Sequence, residues 1–284
     1  MYELGANRYG KSRIRLVTVS READRHVLRD LTVDVALEGD FAAAHVDGDN
    51  ANLVATDTMK NTVYAFARER LTGAPEAFGL ELARHFAAGP QVDRATITLR
   101  EHGWDRVEGA GGPAPDAFSR AGAFTRLAIV AASKTSASVE AGIEDLTVMK
   151  TTKSAFSGFE RDRYTTLAET DDRLMASKVT ALWGYGETAA EPGFDFDAAF
   201  ERSRATLLAV FADQFSPSVQ TSIWIMATAM LDAQPSIDWV RMVLPNLHHW
   251  TVNLEPFGLD NPGNVFLSTT EPHGLIDATV RRAG

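Results

Sequence analysis

Two periodicities alternate along this chain, and they do so twice in the same order. Leu31, Val33, Val35 and Leu37 recur at every second position, with Thr32 and Asp34 between them and Glu38 after. A period of two sends alternate side chains to opposite faces, so this stretch reads as a half-buried strand. An extended run over 13–21 precedes it, and the turn signals Gly39-Asp40 and Asp47-Gly48-Asp49-Asn50 follow. The pattern then becomes helical over roughly 60–70. A second helix is expected from Pro75, a good first-turn residue. Phe78, Leu82 and Phe86 mark its buried face, and Gly89-Pro90 stops it. Extended segments near 95–101 and 124–133 complete the half, and the Gly-, Ala- and Pro-rich stretch 108–122 is expected to be an exposed loop.

The second half repeats the order. Extended segments are expected over 138–151 and near 178–185. Phe196, Phe200, Leu207 and Phe211 then stripe a long helix. Ser216-Pro217 reads as an N-cap with proline at the first helical position, and Val219, Ile223, Met226 and Met230 form the apolar face of the helix it opens. Ser236 is expected to cap a short third helix ending near Pro245; Trp250, Val252 and Leu254 alternate as a strand, and 264–270 reads as the last one. Strand, strand, helices, strand, strand, twice over, predicts an α+β protein of two tandem domains. Each would be an antiparallel sheet with helices packed on one face, over 1–135 and 136–284.

Composition narrows the function. An apolar fraction of 45%, with 15 Phe and 5 Trp, supplies a core without staples. Cysteine is absent, which removes disulfides, thiolate nucleophiles and Cys-liganded zinc together. A formal charge of -10 argues against nucleic acid, whose binders neutralise phosphates. It leaves room for a small anionic substrate, because one local Arg outweighs distant charge screened over about 8–10 Å. No apolar run exceeds six residues, Leu127–Ala132 being one, so no membrane span is expected. With no secretory pattern in 1–13 and no peroxisomal address in Arg281-Arg282-Ala283-Gly284, a cytoplasmic location is the simplest expectation.

General motifs do not name the chemistry. Gly109-Ala110-Gly111-Gly112 is glycine-rich, but Pro113 and Pro115 spoil a following helix N-terminus, so a nucleotide loop is not supported. His248-His249 is a tempting metal pair. Neighbours on a strand point to opposite faces, however, and do not easily share one ion.

Six stretches carry more information together. They are Arg8-Tyr9-Gly10-Lys11, the run from Asn52 to Thr62, Asp145-Leu146-Thr147-Val148-Met149-Lys150, Phe156-Ser157-Gly158-Phe159 with the run Arg161 to Leu167, Ser216-Pro217-Ser218-Val219-Gln220, and Leu244-Pro245-Asn246-Leu247-His248. In this order and spacing the chain resembles the urate oxidase (uricase) family from about Arg8 to Ile276. Departures are minor: Thr58 stands where some members carry Ser, and His249-Trp250 differs from the aromatic residues found in others.

The resemblance implies the tunnelling fold, a homotetramer whose sheets join into barrels around a tunnel, and active sites at subunit interfaces. It also implies oxidation of urate by molecular oxygen to 5-hydroxyisourate and hydrogen peroxide, with no metal, flavin or haem cofactor. Arg173 resembles the family's substrate-gripping arginine, whose planar fork suits a rigid anion. An ion pair with Glu169, Asp171 or Asp172 is the plainer reading of that residue. Gln220 offers both donors and an acceptor to the ring edge, and Val219 would contact the ligand through its backbone. Phe156 takes the place of the stacking aromatic. Leu167 and Ile276 resemble pocket-wall positions, with core packing as the alternative.

Lys11, Thr56 and His248 resemble the family's proton-relay set. A threonine hydroxyl is a feeble base and needs a partner. A lysine serves only when neutral, which requires burial or a cationic neighbour against an ordinary pKa of about 10.4. Histidine passes protons near neutrality. Asn246 would hold oxygen and then water over the ring, although a turn after Pro245 would also explain it. Asp57 would contact substrate through its backbone, although helix capping explains it almost as well. Thr56 and Asp57 are expected to meet Arg173 and Gln220 across the interface. The alternative reading is a non-catalytic purine-binding tunnelling-fold protein, which would keep Arg173, Phe156 and Gln220 but lose Lys11 or Thr56. A zinc cyclohydrolase of similar fold would need the thiolates this chain lacks.

Overall fold

The computed structural model describes residues 2–283. Its elements run β1 (Tyr9–Arg21), β2 (His26–Gly39), α1 (Ala42–Val46), α2 (Thr56–Arg70), α3 (Pro75–Ala87), β3 (Val92–Gly109) and β4 (Gly112–Ala132). The second series is β5 (Ala137–Lys150), β6 (Met175–Tyr185), α4 (Phe196–Asp213), α5 (Val219–Ala233), β7 (Ile237–Thr251) and β8 (Phe266–Arg281). Short 3-10 segments lie at Glu187–Ala190 and Glu255–Phe257. Hydrogen-bonded strand neighbours are also neighbours in sequence, in the order β1 to β8. The α+β arrangement, with its doubled order of two strands, helices and two strands, is the one the periodicities predict.

Two compact units are present. One holds residues up to Ile143 together with Leu182–Phe200, and the other holds Glu144–Ala181 and Glu201 onward. In the first, β1 to β4 pair antiparallel in succession. Leu31, Val33, Val35 and Leu37 are at most 1% exposed, so the alternating face of β2 is the core face. The helices cover it: α2 contributes Met59 and Val63, and α3 contributes Phe78, Leu82 and Phe86. Gly79 brings α3 close to the sheet, since a Cβ there would lie 2.8 Å from Val130 Cγ2 and 2.9 Å from Leu99 Cδ1. In the second unit, β7 and β8 pair antiparallel, and α5 lays Ile223, Met226 and Met230 on them.

Three local expectations are corrected. The stretch 108–122 is not a loop: β3 and β4 continue to a turn at Ala110-Gly111, with Gly109 opposite Gly112 and Glu108 opposite Pro113. Arg106 supports the tip by donating to the carbonyls of Ala114 (3.2 Å) and Pro115 (2.8 Å). Residues 237–251 form a strand, not a short helix. Val240, Met242 and Leu244 are buried at every second position, and that alternation outweighs the capping signal of Ser236. Finally, the cap of α5 is Ser218, which accepts from Thr221 N–H at 3.1 Å. Ser216 is buried instead, with its hydroxyl 2.6 Å from that of Ser222.

Candidate active site

The loop between β5 and β6 is pinned by backbone bonds that fix two expected site residues. Phe156 and Thr170 exchange N–H to carbonyl bonds of 2.8 and 3.1 Å, and Arg173 N–H donates to Ser154 at 2.7 Å. Ala155 donates to Ser216, and Ser216 to Lys153, each at 2.8 Å. The same segment is thereby tied to the residues just before α5. Phe156, Arg173 and the first turn of α5 form one wall because the backbone bonds leave them little freedom.

That wall bounds a cavity of about 640 Å³ within the second unit, whose lining includes Phe156, Arg173, Val219, Gln220, Asn246 and His248. Leu167 and Ile276 line it as well. Phe156 stacks on Phe159 with centroids 4.9 Å apart and an interplanar angle of 13°. The Arg173 guanidinium carbon lies 5.2 Å from the Phe156 centroid. Burial pulls the Arg173 pKa below its ordinary value, and its Nε is buried without a hydrogen-bond partner among the described residues.

The plainer reading of Arg173, an ion pair with a neighbouring carboxylate, is not what the structure holds. Asp172 accepts from Thr152 Oγ1 at 2.7 Å and from Ser154 N–H at 3.4 Å. Glu169 faces Arg161 at 3.6 Å. Val219 and Gln220 are the first two residues of α5, where backbone N–H groups lack intrahelical partners and the helix dipole is positive. An uncompensated guanidinium, a helix N-terminus and a flat aromatic face together suit a planar anion.

A further part of the lining comes from β7. Its register shifts between Asn246 and His248, a bulge of the kind that re-aims side chains. Asn246 sits opposite Gly274, and His248 sits opposite Thr269 and stacks on Trp250 at 5.3 Å and 22°. His249 lies 3.0 Å by Nδ1 from the Leu247 carbonyl. Among the described residues, no group of three or more His, Cys, Asp or Glu is placed to hold a metal. Sequence reading missed Trp250 as a pocket residue; its place two residues after His248, on the same face of the strand, was the available signal.

Lys11, Thr56 and Asp57 belong to the first unit and are not among the residues lining this cavity. Lys11 lies on β1 opposite Val35 and Thr56 is the first residue of α2, both half-buried. Asp57 does not cap α2, whose N-cap is Ala55. Its carboxylate instead pairs with Lys60 and accepts from Asn61 Nδ2 at 3.1 Å. The Lys60 hydrogen bond and charge hold Asp57 below the usual carboxylate range, and the charge of Lys11 adds to the effect. The structure therefore holds the expected site residues in two groups, six around the cavity and three at the start of α2 and on β1.

The chain is similar to known proteins along nearly its whole length. The sequence model of one family, described as Uricase, matches residues 7–131 and 139–277. The uricase of Arthrobacter globiformis is 45% identical over 282 residues, covering 99% of this chain and 90% of that protein. The uricase of Aspergillus flavus is 34% identical over 297 residues, covering 100% and 98%. Among solved structures, that of the Arthrobacter globiformis uricase superposes with a TM-score of 0.94 at 44% identity, over 100% of this chain and 96% of the other. A uricase from Bacillus fastidious shares the fold with a TM-score of 0.83 at 23% identity, over 97% and 93%.

Proposed function

The chain belongs to the uricase family and is a urate oxidase, and we propose that the cavity of its second unit grips the substrate while Lys11, Thr56 and His248 move its protons. The observation that carries this reading is Arg173. It is a half-buried guanidinium beside an aromatic face and lining the same cavity as a helix N-terminus, with no carboxylate to neutralise it among the described residues. Urate is a planar anion. Arg173 and Gln220 take its two edges, the Val219 backbone adds a contact, and Phe156 sets the plane.

Removing a second proton makes urate reducing enough to give electrons to oxygen directly. Thr56 accepts that proton as Lys11 takes the hydroxyl's own, and His248 passes it on. Asn246 with Thr56 holds oxygen over the ring and then the attacking water, while Asp57 touches substrate through its backbone N–H. Urate, oxygen and water give 5-hydroxyisourate and hydrogen peroxide. Two electrons leave the purine, oxygen takes them with two protons, and water supplies the new hydroxyl. The substrate thus fills the role that a redox cofactor usually plays.

Membership of the uricase family leads us to infer a homotetramer in which Thr56 and Asp57 of one copy meet Arg173 and Gln220 of another. Exposed Val17 on β1 and Leu267 and Leu275 on β8 fit strands that have a further neighbour in the assembly. The matched segments 7–131 and 139–277 lie on either side of the expected division at 135/136, which supports tandem tunnelling-fold domains. Among the described residues no helix is long and apolar enough to cross a membrane, and a cytoplasmic site of action fits the reaction.

Replacing Lys11 or Thr56 by Ala should lower kcat by about a hundredfold or more, the range of a lost general base. Urate affinity, read by equilibrium binding without oxygen, should stay within several-fold. Loss of binding with normal turnover at saturation would contradict the division of roles.

A further inference from the structure

The proton-relay residues of the first unit are held by a device that uses neither of their side chains. Tyr9 stands two residues before Lys11 on β1, and Val54 stands two residues before Thr56. The Tyr9 hydroxyl lies between both backbone groups of Val54. It accepts from Val54 N–H at 2.7 Å and is 3.2 Å from the Val54 carbonyl, to which it donates. One phenol thus closes a 45-residue loop onto the strand that carries Lys11.

The ring is fixed from behind by Phe41, edge to face at 4.7 Å and 84°, and Phe41 is 1% exposed. Gly10 adds to the fit, because a Cβ there would come within 1.8 Å of the Val35 carbonyl oxygen. Beyond Lys11 the register of β1 slips against β2 before Ile14, with Arg13 at φ 59°. The Arg13 N–H freed by this bulge donates to Asp34 Oδ1 at 2.6 Å. Lys11 is therefore clasped on both sides, and its upstream clasp is the residue that holds the approach to Thr56.

We propose that Tyr9 is a positioning residue for the reaction, setting the alignment of Lys11 with Thr56 through its paired hydrogen bonds to Val54. The inference rests on the relay assigned above. It separates Tyr9 from the gripping residues Phe156, Arg173 and Gln220, which lie in the other unit. Losing the hydroxyl loosens the Thr56 segment relative to Lys11 while leaving those residues in place, and misplacing reacting groups by about 1 Å can cost on the order of a hundredfold in rate.

The test compares Tyr9→Phe with Phe78→Leu in the full-length chain. The first deletes the hydroxyl and keeps the ring; the second loosens the core under α3, where Phe78 is 2% exposed, and leaves Tyr9, Phe41 and Val54 unsubstituted. Steady-state urate oxidation across pH and thermal unfolding are read for both. Tyr9→Phe should lose about tenfold or more in kcat, with KM for urate within about threefold and a displaced pH profile of kcat. Phe78→Leu, at a similar or larger fall in Tm, should keep kcat within about threefold. A parent-like kcat and pH profile in Tyr9→Phe, with an active parent, would overturn the inference alone. Equal losses of turnover in both variants would also overturn it, since the effect would then follow stability. An inert parent would overturn the urate oxidase reading, and the inference with it.

Discussion

Asp30 shows how much this chain invests in a single charge. Its carboxylate is 2% exposed on β2 and is shared by Arg15, by Arg120 at 2.9 Å and by the Trp104 indole N–H at 3.0 Å. Burial works against its charge, but the hydrogen bonds from Trp104 and Arg15 and the charge of Arg15 more than offset this, and its pKa falls below the ordinary value. A depressed native pKa gives stability that is fully present above the unfolded pKa, near 3.8, and is lost as pH falls through the native value. Asp30→Asn should therefore cost on the order of 2 kcal/mol at pH 7. The gap to the parent should close as the medium is acidified below about pH 4. Denaturant titrations at stepped pH check this; a gap that stays constant into acid would contradict it. At the same scale, Arg173 on its own segment reads as a surface ion pair with Asp171 or Asp172, and only Phe156 and Gln220 in register turn the reading to an anion grip. The backbone bonds that turn Asp172 toward Thr152 and Ser154 are a property of the folded loop, which no local pattern encodes.

At the scale of elements, strands with clean alternation and helices with a four-residue stripe were readable: β2, α3 and α4 fall where their periodicities put them. The failures have physical causes. Pro113 and Pro115 looked like breakers, yet in the β3–β4 hairpin cross-strand pairing tolerates them, and Arg106 takes the carbonyls of Ala114 and Pro115. Likewise β7 was masked by Ser236 and Pro245, two residues whose local preferences yield to burial of Val240, Met242 and Leu244. The start of α5 was misplaced by two residues because Ser216 and Ser218 are both plausible caps, and only the folded chain shows which hydroxyl faces the Thr221 N–H. Ser218→Ala should lower stability by about 1 kcal/mol in urea unfolding, with the m-value unchanged. An unaltered midpoint would show that the cap is not what opens this helix.

At the scale of the molecule, the doubled order of elements and the family were both readable from the sequence. The gathering of Phe156, Arg173, Val219, Gln220, Asn246 and His248 around one cavity of the second unit is what the structure adds. It also adds that Lys11, Thr56 and Asp57 stand in the first unit. That gathering could not be read from spacing, because residues distant in sequence meet or separate according to packing that the sequence does not display. Oxidation of urate by oxygen through the chain's own side chains can be followed by mixing purified, metal-stripped protein with urate and oxygen and recording urate absorbance, oxygen uptake and peroxide together. One urate and one oxygen should be consumed for each peroxide formed, at an undiminished rate after chelation. No loss of urate, or a loss that depends on restored metal, would contradict this.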